Sequence, residues 1–258
     1  MSSILFEIKD SIGCITLNRP DKLNSFNREM ALLLQEKLDI CAKEKSIRCV
    51  IITGAGKAFS AGQDLAEVVD PKGPGMNRIL SEHFNPIVNR IRKLEKPVVA
   101  AVNGVAAGAG ANIALCCDIV VAAQSASFIQ AFSKIGLIPD SSGTFFLPRL
   151  IGWQKASALM MLGEKIKAED ALIMGMIYKT FPDELFAVES MKLANTLAQM
   201  PTKGLAYTKQ VLSMSFTNSL EQQLQQEDIY QQKAAQTADY NEGVKAFLEK
   251  RLPDFKGE

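Results

Sequence analysis

Two glycine-rich segments contain the residue types that could hold a developing negative charge. One occupies residues 59–65, after a strand predicted over residues 49–53, and the other occupies residues 103–112, after a strand predicted over residues 98–102. Small residues let a ligand approach the backbone closely, and a helix that begins near Gly108 would point free N–H groups at that ligand. One N–H from each segment would then hold a single oxygen in an oxyanion hole. Tight packing of helices on strands explains the small residues equally well, so the residues alone leave both interpretations open.

Other catalytic chemistries have little support in this sequence. His83 is the only histidine, and there is no Gly-x-Ser-x-Gly elbow, so a serine triad has weak support and a His-rich zinc site is impossible. We predict no metal site, and we expect His83, which lies in a polar helical stretch, to be on the surface. Residues 54–58 lack the first glycine and the Ser or Thr of a phosphate loop, and residues 108–113 lack the third glycine of a dinucleotide-binding turn.

The first half of the chain alternates predicted strands and helices, which must position the two glycine-rich turns. Short apolar runs predict the strands, and apolar residues at helical spacing predict the helices. Asn27 is the N-cap predicted for the first long helix. The predicted strands cover residues 4–8, 14–17, 49–53, 98–102 and 119–123, and the predicted helices cover residues 28–43, 77–93 and 108–117.

After about residue 140 the strand signals become sparse and helical patterns dominate. This order of elements predicts an α/β fold with a core over residues 1–200 and a helical C-terminal region over residues 201–258. The helices predicted here cover residues 154–162, 168–174, 184–199, 203–213, 219–236 and 241–250.

The composition is that of an ordinary globular protein. Hydrophobic residues make up 47% and charged residues 22% of 258 residues, and the net charge is +1. This balance gives no electrostatic case for nucleic acid or an anionic membrane as a partner. The number of cysteines is odd and no Cys-x-x-Cys occurs, so we expect buried, reduced thiols. They are Cys14, Cys41, Cys49, Cys116 and Cys117.

The sequence suggests no membrane segment and no targeting signal. The N-terminal residues MSSILFEIKD contain no basic region that leads into a long apolar stretch. The most apolar region, residues 98–123, is interrupted by Asn103, Asn112, Asp118 and several glycines, so it is a poor candidate for a bilayer span. The expected location is the cytoplasm.

Five ordered segments resemble the motifs of the enoyl-CoA hydratase/isomerase, or crotonase, family, and together they cover essentially the whole chain. The resemblance implies a spiral of ββα turns, a coenzyme A thioester substrate with no separate cofactor, and a homotrimer or dimer of trimers. The segments are residues 18–25 (NRPDKLNS), 60–65 (SAGQDL), 96–104 (KPVVAAVNG) continuing to 117–119 (CDI), 136–144 (GLIPDSSGT) and 242–251 (EGVKAFLEKR).

The resemblance also implies roles for individual residues. The oxyanion hole would consist of the backbone N–H groups of Gln63 and Ala109. Asp64 lies inside the segment of residues 60–65. Its side chain, like that of Asp118, is more simply expected to tie loops and helix caps together. The positions that match substrate and coenzyme A contacts are Lys22, Leu23, Ala61, Gln63, Asp64, Leu65, Gly108, Phe132, Phe247 and Lys250.

The reaction depends on the acid and base groups near that hole. Family hydratases use two glutamates to activate water, and the matching residues here are Asn112 and Phe132, neither of which is a carboxylate. Asp140 matches the single aspartate of family isomerases, above all those of phenylacetate breakdown, which convert a ring epoxide of phenylacetyl-CoA to an oxepin and shift double bonds in enoyl-CoA. The resemblance therefore favours an isomerase with Asp140 as the proton carrier, and Asn112 is expected to orient the substrate or Asp140.

Several alternatives remain open at this point. The chain could be a hydratase, a non-catalytic acyl-CoA-binding homologue, or a thioester hydrolase or dehalogenase in which an aspartate acts as nucleophile. Asp140 could equally be a helix N-cap, and an apolar pocket would raise its pKa while a helix N-terminus would lower it. Aromatic residues could line the pocket or belong to the core; they are Phe84, Phe132, Phe145 and Phe146.

Overall fold

The computed structural model describes residues 2–258, in which the strands form two sheets. One sheet has the order β1-β2-β3-β5-β7-β10 and the other the order β4-β6-β8-β9. In chain order the strands are β1 (Ile4–Lys9), β2 (Ile12–Leu17), β3 (Cys49–Gly54), β4 (Ala58–Ser60), β5 (Val98–Val102), β6 (Val105–Ala107), β7 (Ile119–Ala123), β8 (Ser127–Ile129), β9 (Lys165–Lys167) and β10 (Lys179–Phe181).

From β3 to β8 successive strands alternate between the two sheets, which produces the spiral of ββα turns. β3, β5 and β7 run parallel in the large sheet, and the short strands β4, β6 and β8 that follow them run parallel in the small sheet. β1 and β9 are antiparallel additions at one edge of each sheet. This arrangement confirms the predicted α/β spiral of the crotonase type. It also brings the ends of β4 and β6, and therefore the two glycine-rich turns, to one place.

The helices lie between and after these strands. In chain order they are α1 (Arg28–Lys43), α2 (Leu65–Val69), α3 (Gly75–Arg78), α4 (Asn85–Lys93), α5 (Ala109–Leu115), α6 (Gly143–Ile151), α7 (Trp153–Leu162), α8 (Ala168–Ile173), α9 (Asp183–Gln199), α10 (Thr202–Met214), α11 (Leu220–Ala235) and α12 (Ala238–Leu248). α1 has its predicted bounds, and the Asn27 side chain caps it by accepting a hydrogen bond from the N–H of Met30.

The helix predicted over residues 77–93 is one helical run with a π turn inside it. The π turn covers Ile79–Phe84 and lies between α3 and α4. The prediction that His83 is on the surface was wrong, because this turn directs its side chain into the interior, where it is 0% exposed and lies 3.2 Å from Arg28 Nη1. Burial lowers the pKa of His83, and the nearby Arg28 lowers it further.

The core is built around the large sheet. Every residue of β5 is buried, which is typical of a parallel strand covered on both faces. All five cysteines are buried and free, as predicted. Burial raises the pKa of both Cys41 and Cys49 to about 12, so neither thiol ionises readily.

The C-terminal helices are anchored to the core by buried basic side chains. Lys209 in α10 donates to the carbonyl of Ile91 at 2.7 Å and pairs with Asp118 at 2.8 Å. Asp118 therefore ties loops together, as expected, since it also accepts a hydrogen bond from the N–H of Val98. No helix within residues 2–258 is both long and apolar enough to cross a bilayer.

Candidate active site

The two glycine-rich turns are in direct contact. A Cβ added to Gly62 would lie 2.9 Å from the carbonyl oxygen of Ala107 and 3.3 Å from the amide nitrogen of Ala109. Gly62 and Gly108 have φ values of +88° and +52°, which side chains rarely allow. Within residues 2–258, neither the N–H of Gln63 nor that of Ala109 donates a hydrogen bond. The two turns thus present two free N–H groups next to each other, as an oxyanion hole requires.

Polar contacts to an upstream segment hold the first turn. The N–H of Ala61 donates to the carbonyl of Leu23 at 2.9 Å, and Ser60 Oγ donates to the carbonyl of Asn24 at 2.8 Å. The carboxylate of Asp64 pairs with Arg19 at 2.9 Å and also caps α2. Asp64 therefore orders the loop, and its carboxylate is already engaged by these partners.

Glu67 links the first turn to the beginning of α1. Its Oε2 accepts a hydrogen bond from Gln63 Nε2 at 2.9 Å, and its Oε1 accepts one from the N–H of Arg28 at 2.8 Å. The N–H of Arg28 is one of those that an α-helix leaves unpaired at its N-terminus, where a carboxylate is favourable. Glu67 thus fixes the side chain of the residue whose backbone supplies the first N–H.

The second turn is held by close packing around glycines. A Cβ added to Gly110 would lie 2.6 Å from the Cβ and from the carbonyl oxygen of Ser60, distances that real side chains do not adopt. Every residue of α5 is buried. Two asparagines add side-chain hydrogen bonds at the ends of the turn. Asn103 accepts from the N–H of Gly54 at 3.0 Å and donates to the carbonyl of Gly56 at 2.9 Å, and Asn112 bonds to the carbonyl of Asp140 and to Gln130.

A largely apolar cavity of about 430 Å³ opens next to both turns. Seven residues predicted to act in the site line it: Ala61, Gln63, Leu65, Gly108, Ala109, Phe132 and Asp140. The rest of the wall is mainly hydrophobic and comes from α2, α3, the π turn and the segment before Asp140; it includes Val68, Val69, Met76, Ile79, Phe84, Ile135 and Leu137.

Asp140 is the one carboxylate that lines the cavity within residues 2–258. Burial raises the pKa of this carboxyl, and the hydrogen bond that Ser141 Oγ donates to it at 2.8 Å lowers the pKa by a smaller amount. The side chain does not cap α6. Instead, the carbonyl of Asp140 accepts the N–H of Gly143 at 2.8 Å, and Ser142 is the residue before the helix. Asp140 therefore lines the apolar cavity without its carboxylate being used as a helix cap.

Asn112 lies behind Asp140 and fixes its backbone. Asn112 is 1% exposed and donates from Nδ2 to the carbonyl of Asp140 at 2.8 Å. Its Oδ1 accepts a hydrogen bond from Gln130 Nε2, also at 2.8 Å, and the side chain packs against Gly143. Asn112 is thus placed to orient Asp140, one of the two roles expected for it, and it does not line the cavity.

Five predicted contacts lie outside this cavity. Lys22 is exposed, Leu23 contacts the first turn through its carbonyl, and Asp64 is paired with Arg19. Phe247, at the end of α12, is 84% exposed, and Lys250 follows that helix on the surface. The structure therefore does not bring Phe247 and Lys250 to the cavity of their own chain.

The sequence analysis missed Glu67, Gln130 and most of the hydrophobic wall. Glu67 lies four residues after Gln63, a spacing at which side chains in one helical turn can meet, so a signal for it existed. Gln130 pairs with a residue 18 positions away, and nothing local to it indicates that contact.

Comparison with known proteins agrees with this geometry. The family model described as enoyl-CoA hydratase/isomerase matches residues 7–258. The chain is 49% identical to 1,2-epoxyphenylacetyl-CoA isomerase of Escherichia coli K12, with 100% of this chain and 99% of that protein covered. It is 35% identical to 2,3-dehydroadipyl-CoA hydratase of the same organism, with full coverage of both chains.

Solved structures show the same architecture. The crystal structure of an enoyl-CoA hydratase from Bacillus anthracis superposes with a TM-score of 0.92 at 32% identity, covering 99% of this chain and 100% of that one. With a family match over nearly the whole sequence, relatives at 35–49% identity and a shared fold, the chain belongs to the enoyl-CoA hydratase/isomerase (crotonase) family.

Proposed function

We propose that this protein is an acyl-CoA isomerase in which Asp140 carries a proton between two carbons of the bound acyl group. The observation that carries the proposal is that Asp140 is the one carboxylate, within residues 2–258, that lines a largely apolar cavity, which is also lined by Gln63 and Ala109 with their free N–H groups. A carboxyl with a raised pKa is a stronger base than an ordinary aspartate, which suits the removal of a weakly acidic C–H proton.

For a 3-enoyl thioester the steps balance without a co-reactant. The thioester oxygen accepts hydrogen bonds from the N–H groups of Gln63 and Ala109. The ionised Asp140 removes a proton from C2, and the electron pair moves into a dienolate whose charge rests on that oxygen. The protonated Asp140 then returns the proton at C4, and the double bond ends between C2 and C3. No atom is gained or lost.

Hydration is less well supported because the positions that activate water in family hydratases carry no carboxylate here. Both hydrogen-bonding groups of Asn112 are occupied, one by the carbonyl of Asp140 and the other by Gln130. Phe132 presents a ring to the cavity. The 35% identity to a hydratase keeps hydration as the second activity to test.

A ring epoxide of phenylacetyl-CoA is the second substrate that we propose. The support is the 49% identity to a protein named 1,2-epoxyphenylacetyl-CoA isomerase, together with the hydrophobic wall to which Phe84 and Phe132 contribute. Opening a ring epoxide to an oxepin is also an isomerisation, so the thioester oxygen could be held in the same way.

We further propose that Phe247 and Lys250 contact coenzyme A across a subunit boundary in a homotrimer or dimer of trimers. The support is the 84% exposure of Phe247 and its distance in the fold from the residues that line the cavity. Phe247 shares an exposed groove with Val244 and Leu248, and apolar patches of this kind often mark interaction sites.

A paired assay tests the isomerase proposal. Purified protein is given 3-hexenoyl-CoA or 2-hexenoyl-CoA and followed by ultraviolet absorbance and mass spectrometry. We expect 3-hexenoyl-CoA to become the conjugated 2-enoyl ester without a change in mass, and D140N to lose about 10²–10⁴-fold in kcat. Faster addition of water to 2-hexenoyl-CoA, or full turnover by D140N, would contradict the proposal.

The stability of D140N distinguishes loss of chemistry from loss of fold. An aspartate with a raised pKa contributes stability that is complete below the unfolded pKa of about 3.9 and is lost as pH rises through the folded pKa. At pH 7 the ionised Asp140 therefore costs stability, and asparagine removes that cost. We expect D140N to melt above the wild type at pH 7, to lose this advantage toward pH 4, and to retain its affinity for hexanoyl-CoA.

A further inference from the structure

The π turn at Ile79–Phe84 has an identifiable cause in the sequence. Pro86 follows it directly and has no N–H, so in α-helical geometry the carbonyl of Glu82 would lack its donor and would clash with the proline ring. The helical turn instead contains one more residue than an α-helical turn, and the N–H of Asn85 bonds to the carbonyl of Leu80, five residues back. Such turns are rare and are frequently found at functional sites.

Gln35 of α1 supplies the donor that Pro86 cannot. Its Nε2 donates to the carbonyl of Glu82 at 2.7 Å and lies 3.3 Å from the carbonyl of His83. The Gln35 side chain is 8% exposed, so this contact is shielded from competing water. A residue far from the cavity therefore completes the hydrogen bonding of the π turn.

The π turn determines which side chains face the cavity. In an α-helix, residues five apart point about 140° away from each other. In a π turn they lie close to one full turn apart and share a face. Ile79 and Phe84 are five apart, both line the cavity, and both are almost fully buried. The Phe84 ring is backed edge-on by Phe26, with ring centroids 5.8 Å apart.

We propose that Gln35 is a positioning residue that sets the acyl-group selectivity of the cavity by holding the π turn. Gln35 keeps Ile79 and Phe84 together as one continuous wall, and that wall discriminates against acyl groups too long or too bulky to end in front of it. The inference rests on the proposed function only in taking this cavity as the acyl site.

Three variants test the proposal. Gln35→Leu keeps the volume and removes the donor, whereas Gln35→Lys keeps a donor. The chain already uses a buried lysine in this way at Lys96, whose Nζ donates to the carbonyls of Cys41 and Glu44 at 2.6 and 2.7 Å. Gln199→Leu makes the same chemical change at an exposed position of α9 and is the matched control.

The selectivity is measured as the ratio of kcat/KM for 3-decenoyl-CoA to that for 3-hexenoyl-CoA. We expect Gln35→Leu to raise this ratio by at least about tenfold, since a hydrophobic pocket discriminates by roughly that factor for a single methylene and the two esters differ by several. Gln35→Lys should return the ratio to within about threefold of the wild type, and Gln199→Leu should leave it unchanged. An unchanged ratio in Gln35→Leu, even with reduced stability, would overturn the proposal, because a purely structural role lowers stability without altering selectivity.

A second variant and a binding measurement keep the result interpretable. If Gln35→Leu does not fold, Gln35→Met takes its place, because methionine keeps the length of the side chain and also lacks an N–H donor; an unchanged ratio in this variant also overturns the proposal. Calorimetry with decanoyl-CoA and hexanoyl-CoA reports selectivity without turnover. A wild type that isomerises neither ester, with binding selectivity that still shifts in the variant, would overturn the proposed function and support the role of Gln35.

Discussion

The two turns that would supply the N–H groups of the proposed oxyanion hole are held mainly by different means. The first, residues 60–65, is held by hydrogen bonds to side chains and carbonyls of other segments, with Arg19, Glu67 and the backbone of residues 23–28 as partners. The second, residues 103–112, is held mainly because Gly104 and Gly110 leave no space between it and its neighbours, with hydrogen bonds from Asn103 and Asn112 at its two ends. Hydrogen bonds are thus the main constraint on the first turn, and close packing at glycines is the main constraint on the second.

This difference predicts different responses to substitution. A hydrogen bond contributes about 1 kcal/mol, and other bonds to the same segment remain when one is removed. Where two segments pack closely at a glycine, nothing compensates for an added atom, because that atom must push the backbone away. A displacement near 1 Å can cost 10²-fold in turnover. Removing a single hydrogen bond should therefore have a graded effect on turnover, whereas adding an atom at a close approach such as Gly110 should have a severe one.

Gly110→Ala should have the largest effect. The new Cβ would lie 2.6 Å from the carbonyl oxygen and Cβ of Ser60, so α5 must shift away from the first turn and carry the N–H of Ala109 with it. We expect kcat/KM to fall by about 10²-fold or more, with a loss of about 1–3 kcal/mol in the free energy of unfolding. Steady-state kinetics and urea unfolding measure the two quantities.

Gly204→Ala is the matched control for this variant. Its Cβ would meet only Pro201 at 3.6 Å, an ordinary contact, in the first turn of α10. We expect unchanged turnover and a small gain in stability, because alanine is the better helix former. Wild-type turnover in Gly110→Ala would show that the second turn can accommodate an added methyl group. The predicted difference between the two turns in their response to substitution would then be wrong.

Asn112→Ala should have the next largest effect, since Asn112 couples the second turn to Asp140. The change removes the donor to the carbonyl of Asp140 and leaves Gln130 Nε2 without an acceptor. We expect about 1–3 kcal/mol of lost stability and about a tenfold loss of kcat. The affinity for hexanoyl-CoA should change little, because Asn112 does not line the cavity.

The pH dependence of this variant has a definite sign. Burial raises the pKa of Asp140, and a base loses activity as pH falls through its pKa. A loop released by Asn112→Ala admits water, so the pKa should fall toward the ordinary aspartate value. The acid limb of kcat/KM should therefore move to lower pH than in the wild type. A limb that moves to higher pH or stays in place would mean that Asn112 does not control the environment of Asp140.

The fold elements that the sequence predicted are those encoded by local patterns. The N-cap of Asn27 and the apolar run of β5 depend on neighbours in the chain, and both appear where they were expected. The small sheet was missed because its strands are three residues long, too short to show alternation, and exist through pairing with distant strands. The π turn was missed although Pro86 is visible in the sequence, since its compensating donor, Gln35, is 47 residues before Glu82.

The site likewise has features that sequence motifs predict and features that depend on residues distant in the chain. Gln63, Ala109 and Asp140 were found through family motifs, and the structure places them around one cavity. The sequence could not decide the direction of the pKa shift of Asp140, because an apolar pocket raises the pKa and a helix N-terminus lowers it. Burial outweighs the hydrogen bond from Ser141, and the helix that follows is capped without the carboxylate. Only the packing of residues distant in sequence decides such a balance.

Glu67→Ala should have the smallest effect of the three single changes compared here. It removes the acceptor of Gln63 Nε2 and of the N–H of Arg28, while Asp64 and Ala61 still fix the turn. We expect about 1 kcal/mol of lost stability and a threefold to tenfold fall in kcat, with KM nearly unchanged.

Two further readouts separate positioning from simple loss of stability in Glu67→Ala. The infrared carbonyl stretch of bound hexanoyl-CoA should shift less from its value in water than in the wild type, because a looser Gln63 polarises the thioester less. The acid limb should stay where it is in the wild type, since Glu67 has no contact with Asp140, whereas Asn112→Ala should move it. A loss of 10²-fold in kcat for Glu67→Ala would mean that the remaining hydrogen bonds do not hold the first turn when one is removed. Hydrogen bonds in the first turn and close packing in the second would then constrain the proposed oxyanion hole equally.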